Sequence, residues 1–388
     1  MTSLIYLCSF FYKAKKIWKK PKENFFLIID VRNSQLLFQY IDKNKANILH
    51  VRGEYINVFV LVYTILSCIL FFRFNNFQLH YVNSFIKISK AKVCITLNHP
   101  KLFFYKLKNY NKELITIVFQ NAHSYLEKDK FFKVLKKEQK KNNLLKVDFF
   151  LCNNQFFIKN FFSKYIFSNF ISVGSFKNNF YYQRNNFLTN RTNYMNSNKI
   201  AFISQFRFPE HIKRAGHDYN KFYLTERFIL PKLYNFVKKN NYQLIILGSE
   251  WDTRKETSFY NNLIGNTDWT FEKRTLNNKS YYLTDNVKFS VFVDSSLGFE
   301  SLARGNKTVS FNFRGKMDSM YNKFGFDFLK DRGKFWTNVD SQFEFNRLVT
   351  YAEKVTHHEW NTENRRIINK IMSYDPQNKT FQKILCRN

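Results

Sequence analysis

The sequence predicts an α/β protein made of two Rossmann-like domains that face each other across a cleft. Three observations lead there. Its 388 residues are too many for one ordinary core and comfortable for two. A composition of 45% hydrophobic and 19% aromatic residues supplies the apolar material, and 23% charged residues suits a soluble surface. Short apolar runs alternate with helix-length stretches along the first half, the alternation stops, and it then restarts, as parallel sheets covered by helices require.

The N-terminal segment, residues 1–22, stands apart from both arrays. Leu4 to Tyr12 is apolar, and Lys13 to Lys20 forms a basic flank that ends at Pro21. A secretory signal has the opposite order, and a spanning helix needs roughly 20 residues. The stretch either lies as an amphipathic helix on an anionic leaflet or packs on the protein's own surface.

In residues 23–180 the expected strands are Phe25 to Val31, Ala46 to Val51, Ala91 to Leu97, Leu114 to Phe119, Val147 to Cys152 and Phe170 to Val173. Ser34 to Asp42, Leu79 to Ser89, Leu102 to Tyr110 and Phe156 to Tyr165 read as helices. Asp30 and Asn98 fall at strand ends, where open α/β sheets place their ligand crevices. Tyr55 to Phe72 is uncharged and nearly long enough to cross a bilayer. Strand patterns on both sides make it a buried strand-to-helix stretch within one sheet.

Residues 181–198, rich in Asn, Tyr and Arg, read as a linker. The second array, residues 199–388, opens with strand Ile200 to Ser204, a helix from Tyr223 to Lys239 and strand Gln243 to Leu247. A helix Glu256 to Ile264 and strands Trp269 to Phe271, Phe289 to Val293 and Thr308 to Phe313 follow, with closing helices Gln342 to Val355 and Glu363 to Met372. Two arrays with no internal repeat favour two doubly wound domains over one barrel.

Charge narrows the partners. The 47 Phe and 23 Tyr, with many Asn, Lys and Ile, share AT-rich codons and so reflect genome composition. That bias does not explain 62 Lys+Arg against 29 Asp+Glu, a net +33, because Glu has an AT-rich codon too. Such a field suits nucleic acid, an anionic membrane surface, or phosphorylated molecules and acidic glycans. No zinc-finger spacing, RNA-binding aromatic motif or basic-region heptad is present, so nucleic acid is not expected. The run Lys136 to Lys141 is a solvated helix face. Five scattered cysteines pair in no metal or redox pattern, which points to a reducing cytosol.

The sharpest local pattern is residues 289–306, where an apolar strand ends in Asp294-Ser295-Ser296 and a helix runs on to Gly305. Such a turn offers backbone N–H groups and the Ser295 and Ser296 hydroxyls at the positive end of a helix dipole, a seat for a diphosphate. Gly298 would let a ligand approach closely, and Glu300 could accept from ribose hydroxyls. Plain N-capping by Ser296, with Glu300 as a dipole-compatible acid, explains the same residues. Both readings stay open.

The segment DSSLGFESLARGNKTVSFNFR resembles the donor-site stretch of GT-B glycosyltransferase-like proteins, and more narrowly of the surface carbohydrate biosynthesis protein family. Ile203-Ser204-Gln205-Phe206, Thr225-Glu226-Arg227 with Leu230 to Leu233, Ile246-Leu247-Gly248 and Glu256 to Tyr260 agree in order. In the first half, ITLNHPKLFFYKLK, IVFQNAH and VGSFKNN also resemble that family. The resemblance implies a GT-B-like transferase of surface polysaccharide or lipopolysaccharide assembly. Its donor would be a nucleotide-sugar co-substrate held by Ser204, Gln205, Arg207, Gly248, Ser295, Ser296, Gly298 and Glu300, with Lys213 and Arg214 near the diphosphate. The first domain would then take the glycan or lipid-linked acceptor.

Two departures fall on the acceptor side: Asn98-His99-Pro100 stands where an Asp-Asn pair is expected, and Gln120-Asn121-Ala122 where Gln-Asn-Gly is expected. Candidate general bases are Asp30, His99 and His123. No Asp-x-Asp pair ends a strand, so no metal and no cofactor beyond the donor are expected. The expected setting is cytoplasmic, at the inner face of the cytoplasmic membrane. Two other functions fit the same pattern, a nucleotide-sugar epimerase and a non-catalytic scaffold for anionic glycan or membrane.

Overall fold

The protein is described from a computed structural model, which defines residues 12–31, 34–71, 75–121, 130–181, 197–249, 253–273, 279–317, 323–325 and 329–387. The chain divides into two compact units, one built on residues up to Lys177 and the other on Asn178–Lys379. Most of the expected linker, residues 182–196, lies outside the described residues.

The first unit opens with β1 (Lys15–Ile17), β2 (Phe26–Ile29), α1 (Ser34–Leu37), β3 (Ala46–Leu49) and β4 (Tyr55–Asn57). Then come α2 (Val58–Leu70), α3 (Phe77–Ser89), β5 (Val93–Thr96), α4 (Leu102–Lys106) and β6 (Ile115–Phe119). It continues through α5 (Lys130–Lys140), β7 (Lys146–Cys152), α6 (Gln155–Asn160) and β8 (Phe167–Ser172), and α7 (Phe176–Tyr181) straddles the boundary. Six strands form a parallel sheet in the order β3-β2-β5-β6-β7-β8. Helices cover both faces of such a sheet, so its central strands must be apolar throughout; VCIT of β5 is buried at all four positions. β1 and β4 make a separate parallel pair.

The second unit contains β9 (Lys199–Ile203), α8 (Pro209–Arg214), α9 (Tyr219–Phe222), α10 (Leu224–Lys239), β10 (Gln243–Leu247) and α11 (Thr253–Ile264). Next are β11 (Thr270–Glu272), α12 (Lys279–Asp285), β12 (Phe289–Phe292), α13 (Ser296–Ala303), β13 (Thr308–Phe311) and α14 (Arg314–Met317). β14 (Trp336–Thr337), α15 (Gln342–Lys354) and α16 (His357–Ile371) complete it. Its parallel sheet runs β11-β10-β9-β12-β13-β14. Each unit is therefore a doubly wound, Rossmann-like layer whose strand order reverses once, beside β2 in the first and beside β9 in the second.

Three segments differ from expectation. The last helix, α17 (Lys379–Arg387), was expected with the second domain, yet residues 380–388 group with the first unit. Phe381 and Ile384 are the reason: both are buried in the first core, where the Phe381 ring lies 5.1 Å from Phe119 and 5.7 Å from Phe176. Tyr55 to Leu70 is the expected strand and helix, but only one side of α2 is buried; Leu66 and Leu70 are 55% and 73% exposed. At the N-terminus, residues 1–11 lie outside the described residues, and the basic flank supplies β1 instead of continuing a helix.

Candidate functional site

In the second unit the sheet reverses between β9 and β12, and the residues that leave the carboxyl ends of β9, β12 and β13 meet there. Arg314, directly after β13, is the centre. Its Nη2 donates to Gln205 Oε1 and lies 3.4 Å from both Glu226 Oε1 and Asp294 Oδ1. The guanidinium stacks over the Phe222 ring at 4.6 Å. Thr225, beside Glu226 in the first turn of α10, accepts the Phe313 N–H at 3.1 Å and so fixes the backbone that carries Arg314.

Burial sets the charges. Arg314 and Glu226 are essentially inaccessible, whereas Asp294 keeps 29% of its side chain exposed. Desolvation pushes the Glu226 carboxyl up to about 7, with the Arg314 charge pulling the other way. Glu226 Oε2 has no hydrogen-bond partner among the described residues, so nothing there offsets the desolvation of its charged form. Arg314 thus ties the loops after β9 and β12 together from within, and Gln205 and Asp294 are its partly exposed partners.

α13 begins two residues after Asp294. Ser295, not Ser296, is its N-cap residue, and the Ser295 side chain makes no capping hydrogen bond. Gly298 and Phe299 donate to Ser295 O at 3.0 and 3.3 Å. The N–H groups of Ser296 and Leu297 precede any intrahelical acceptor, and the Ser296 side chain is exposed. The turn therefore leaves these first N–H groups without a cap from the Ser295 side chain, at the positive end of the helix dipole.

Several expected donor-site residues have other duties. Ser204 is buried, and its hydroxyl bonds Glu256 and Tyr260 while accepting from Phe206 N–H at 3.0 Å, so it braces the loop after β9 and does not face a ligand. Glu256 also takes the Ser249 N–H at 3.0 Å, a structural role that the sequence did not reveal. Gly248 lacks a side chain for packing: a Cβ there would sit 2.6 Å from the Phe271 ring. Gly298 likewise faces inward, with an added Cβ 2.1 Å from Phe292 Cδ2, so close ligand approach is not its reason. Glu300 is buried and accepts from Tyr281 Oη at 2.7 Å, away from a ribose role. Arg207, Lys213 and Arg214 are exposed; the Arg207 backbone is fixed by Tyr223 Oη, and Lys213 and Arg214 are the last residues of α8.

In the first unit the equivalent reversal lies between β2 and β5. Asp30 ends β2 in a left-handed conformation, φ 81°, that few residues adopt without cause. Its Oδ2 receives Arg52 Nε at 2.7 Å and Asn98 Nδ2 at 2.9 Å, which joins the ends of β2 and β5. His99 is not a plausible base. It is 2% exposed among Phe131, Phe150 and Phe162, its Nδ1 accepts the Asn121 N–H at 3.1 Å, and burial pushes it down to about 3. It is a neutral packing group. His123 lies outside the described residues.

Among the described residues, no three His, Cys, Asp or Glu side chains gather as ligands for an ion. A cavity of about 400 Å³ opens beside Ile115, Lys146, Asp148 and Phe167, at the amino ends of β6, β7 and β8 and so away from both crevices.

Residues 117–388 match the sequence profile of a family described as "putative O-antigen biosynthesis protein". The chain belongs to this family. The O-antigen family profile spans the whole Arg314 cluster and α13, while Asp30, Arg52 and α2 precede it. No curated protein matches the chain. Among solved structures, the wall teichoic acid polymerase TagF is similar at 11% identity over 95% of this chain and 89% of that one, with a TM-score of 0.50. A glycosyltransferase from Rickettsia africae ESF-5 is similar at 13% identity over 93% and 90% of the two chains, also with a TM-score of 0.50. At such identities the likeness is one of fold: two Rossmann-like domains of the GT-B type, as the donor-site motif led us to expect.

Proposed function

We propose that this member of the O-antigen biosynthesis family is a glycosyltransferase that takes a sugar from a nucleotide-activated donor for assembly of a surface polysaccharide or lipopolysaccharide. One observation carries the reading: a helix start at the strand reversal of the second unit that its N-cap side chain leaves uncapped, directly after Asp294, which pairs with a buried arginine. The Ser295 and Ser296 hydroxyls and the first amides of α13 receive the diphosphate. Arg314, its charge balanced by Asp294 and Glu226, holds Gln205 and Asp294 in place beside that turn, and the amides and dipole of α13 face the leaving group as it gains charge. This arrangement supplies leaving-group stabilisation without an ion, and insensitivity to EDTA tests that part. In the first unit, Asp30 is the candidate to receive the acceptor proton.

The experiment is a thermal-shift panel of UDP-, GDP-, CMP- and TDP-linked sugars, followed by nucleotide release with and without acceptor extracts. One donor class raises the melting temperature of the wild type, since a ligand bound only by the native state must do so. Ser295→Ala with Ser296→Ala weakens that shift, by roughly a hundredfold or more in affinity for two hydrogen bonds to a charged group lost, while leaving the unliganded melting temperature near wild type. Absence of any shift across the panel sinks the reading.

A further inference from the structure

Helix α2 is apolar on both sides. Val60, Leu61, Thr64 and Cys68 form the inward stripe and are buried. Phe59, Val62, Tyr63, Leu66, Ile69 and Leu70 form a second, outward stripe at helical spacing, and these residues are 43% to 73% exposed. No charged residue interrupts Val58–Leu70. An ordinary surface helix turns polar residues to water, so a continuous exposed apolar stripe marks an interaction surface.

The neighbouring charge indicates the partner. α2 continues from β4, and β4 pairs with β1 in the register Lys15↔Tyr55 and Ile17↔Asn57. Asn57 caps α2 through Val60 N–H and donates its Nδ2 to Lys19 O at 2.9 Å, so helix and basic segment are tied together. Lys13, Lys15, Lys16, Lys19 and Lys20 are exposed there. Trp18, 72% exposed, and Tyr12, 84% exposed, are the residue types that settle at a lipid headgroup boundary. At about 1.5 Å per residue, the 13 residues of α2 fall well short of a hydrocarbon core of about 30 Å.

We propose that α2 and the β1 segment form a docking surface for an anionic lipid leaflet, with the outward stripe of α2 sunk into the headgroup boundary and the lysines against the headgroups. A second copy of the chain would oppose like charges across the same surface, which disfavours self-association. The proposal does not rest on the donor-site reading.

The test is sedimentation of the full chain with phosphatidylcholine vesicles, with and without phosphatidylglycerol. Wild type partitions onto the anionic vesicles and is released as salt rises. Leu66→Ser with Leu70→Ser lowers partitioning roughly tenfold or more. Lys15→Gln with Lys16→Gln and Lys19→Gln lowers it by about fivefold per lysine. Both variants change exposed side chains and keep the wild-type melting temperature, and Ser295→Ala with Ser296→Ala binds vesicles as wild type does. Equal or absent partitioning onto the two vesicle types overturns the proposal. So does unchanged binding by the leucine variant, or a wild-type dimer that this variant converts to monomer.

Discussion

Substituting Gly298 by alanine separates packing from ligand approach as the reason for that residue. An added Cβ would meet Phe292 Cδ2 at 2.1 Å, Cγ at 2.3 Å and Cε2 at 2.6 Å, where carbon pairs prefer about 3.5–4.0 Å. The Phe292 ring cannot retreat freely, because it is fully buried, with Phe299 at 5.2 Å and Phe324 at 6.1 Å. Forcing extra volume into such a core costs about 1–3 kcal/mol. Alanine returns up to about 1 kcal/mol of helix propensity, so G298A is net destabilising by about 1–2 kcal/mol. Urea unfolding followed by tryptophan fluorescence reads this well, since Trp269, Trp336 and Trp360 all sit in the second unit. Phe292→Val removes the obstructing ring, so the double variant G298A/F292V loses less stability than the two single losses summed. If G298A unfolds at the wild-type urea concentration yet loses donor affinity, the packing argument is wrong and the glycine serves the ligand.

Two further outcomes follow from the crevices. The Glu226 carboxyl is held up to about 7 in the folded state against 4.5 ordinarily, so the native protein keeps this proton more tightly than the unfolded chain does. The resulting stability is fully present below about pH 4.5 and is lost as pH rises through about 7, a change on the order of 3 kcal/mol. Glu226→Gln flattens that slope in melting temperature between pH 5 and 8, and an unchanged slope would refute the assignment. Asp30→Asn keeps a side chain that tolerates positive φ and lowers turnover by about 100-fold or more, with donor affinity unchanged. Turnover within a few-fold of wild type removes Asp30 as the proton acceptor.

The alternation of strands and helices was legible because parallel strands covered on both faces must be apolar runs, and QLIIL, FSVF and ITIVF cannot be mistaken for solvent-facing segments. β8 was read three residues late, since Phe167 to Asn169 sits at the sheet edge and alternates exposed with half-buried. β1 and β14 were invisible. KKI is exposed throughout and becomes a strand only through β4, and Trp336–Thr337 is two residues long. The expected helix from Leu102 to Tyr110 winds as α for only five residues and tightens to a 3-10 turn at Leu107–Asn109.

The site was legible in part for a related reason. A strand followed by Asp-Ser-Ser and a helix is a local pattern, so α13 could be placed from sequence. Arg314 could not, because its meaning comes from Gln205, Glu226 and Asp294, which only the tertiary fold brings to it. Gly298 and Ser204, expected at the donor, pack against Phe292 and brace the loop after β9. Sequence reports that a residue is small or polar, while the direction in which its Cα or hydroxyl points depends on how the helix sits on its sheet. The same ambiguity hid α2, whose uniform apolarity reads as burial when only one side has a neighbour.

Helix α17 has a consequence for synthesis. The half of the protein that leaves the ribosome first lacks Phe381 and Ile384 until the entire other half has been made, so its sheet must wait with the Phe119 and Phe176 rings uncovered. The earliest-born unit is thus the last to be sealed, and its completion certifies that translation has run through the whole of the second.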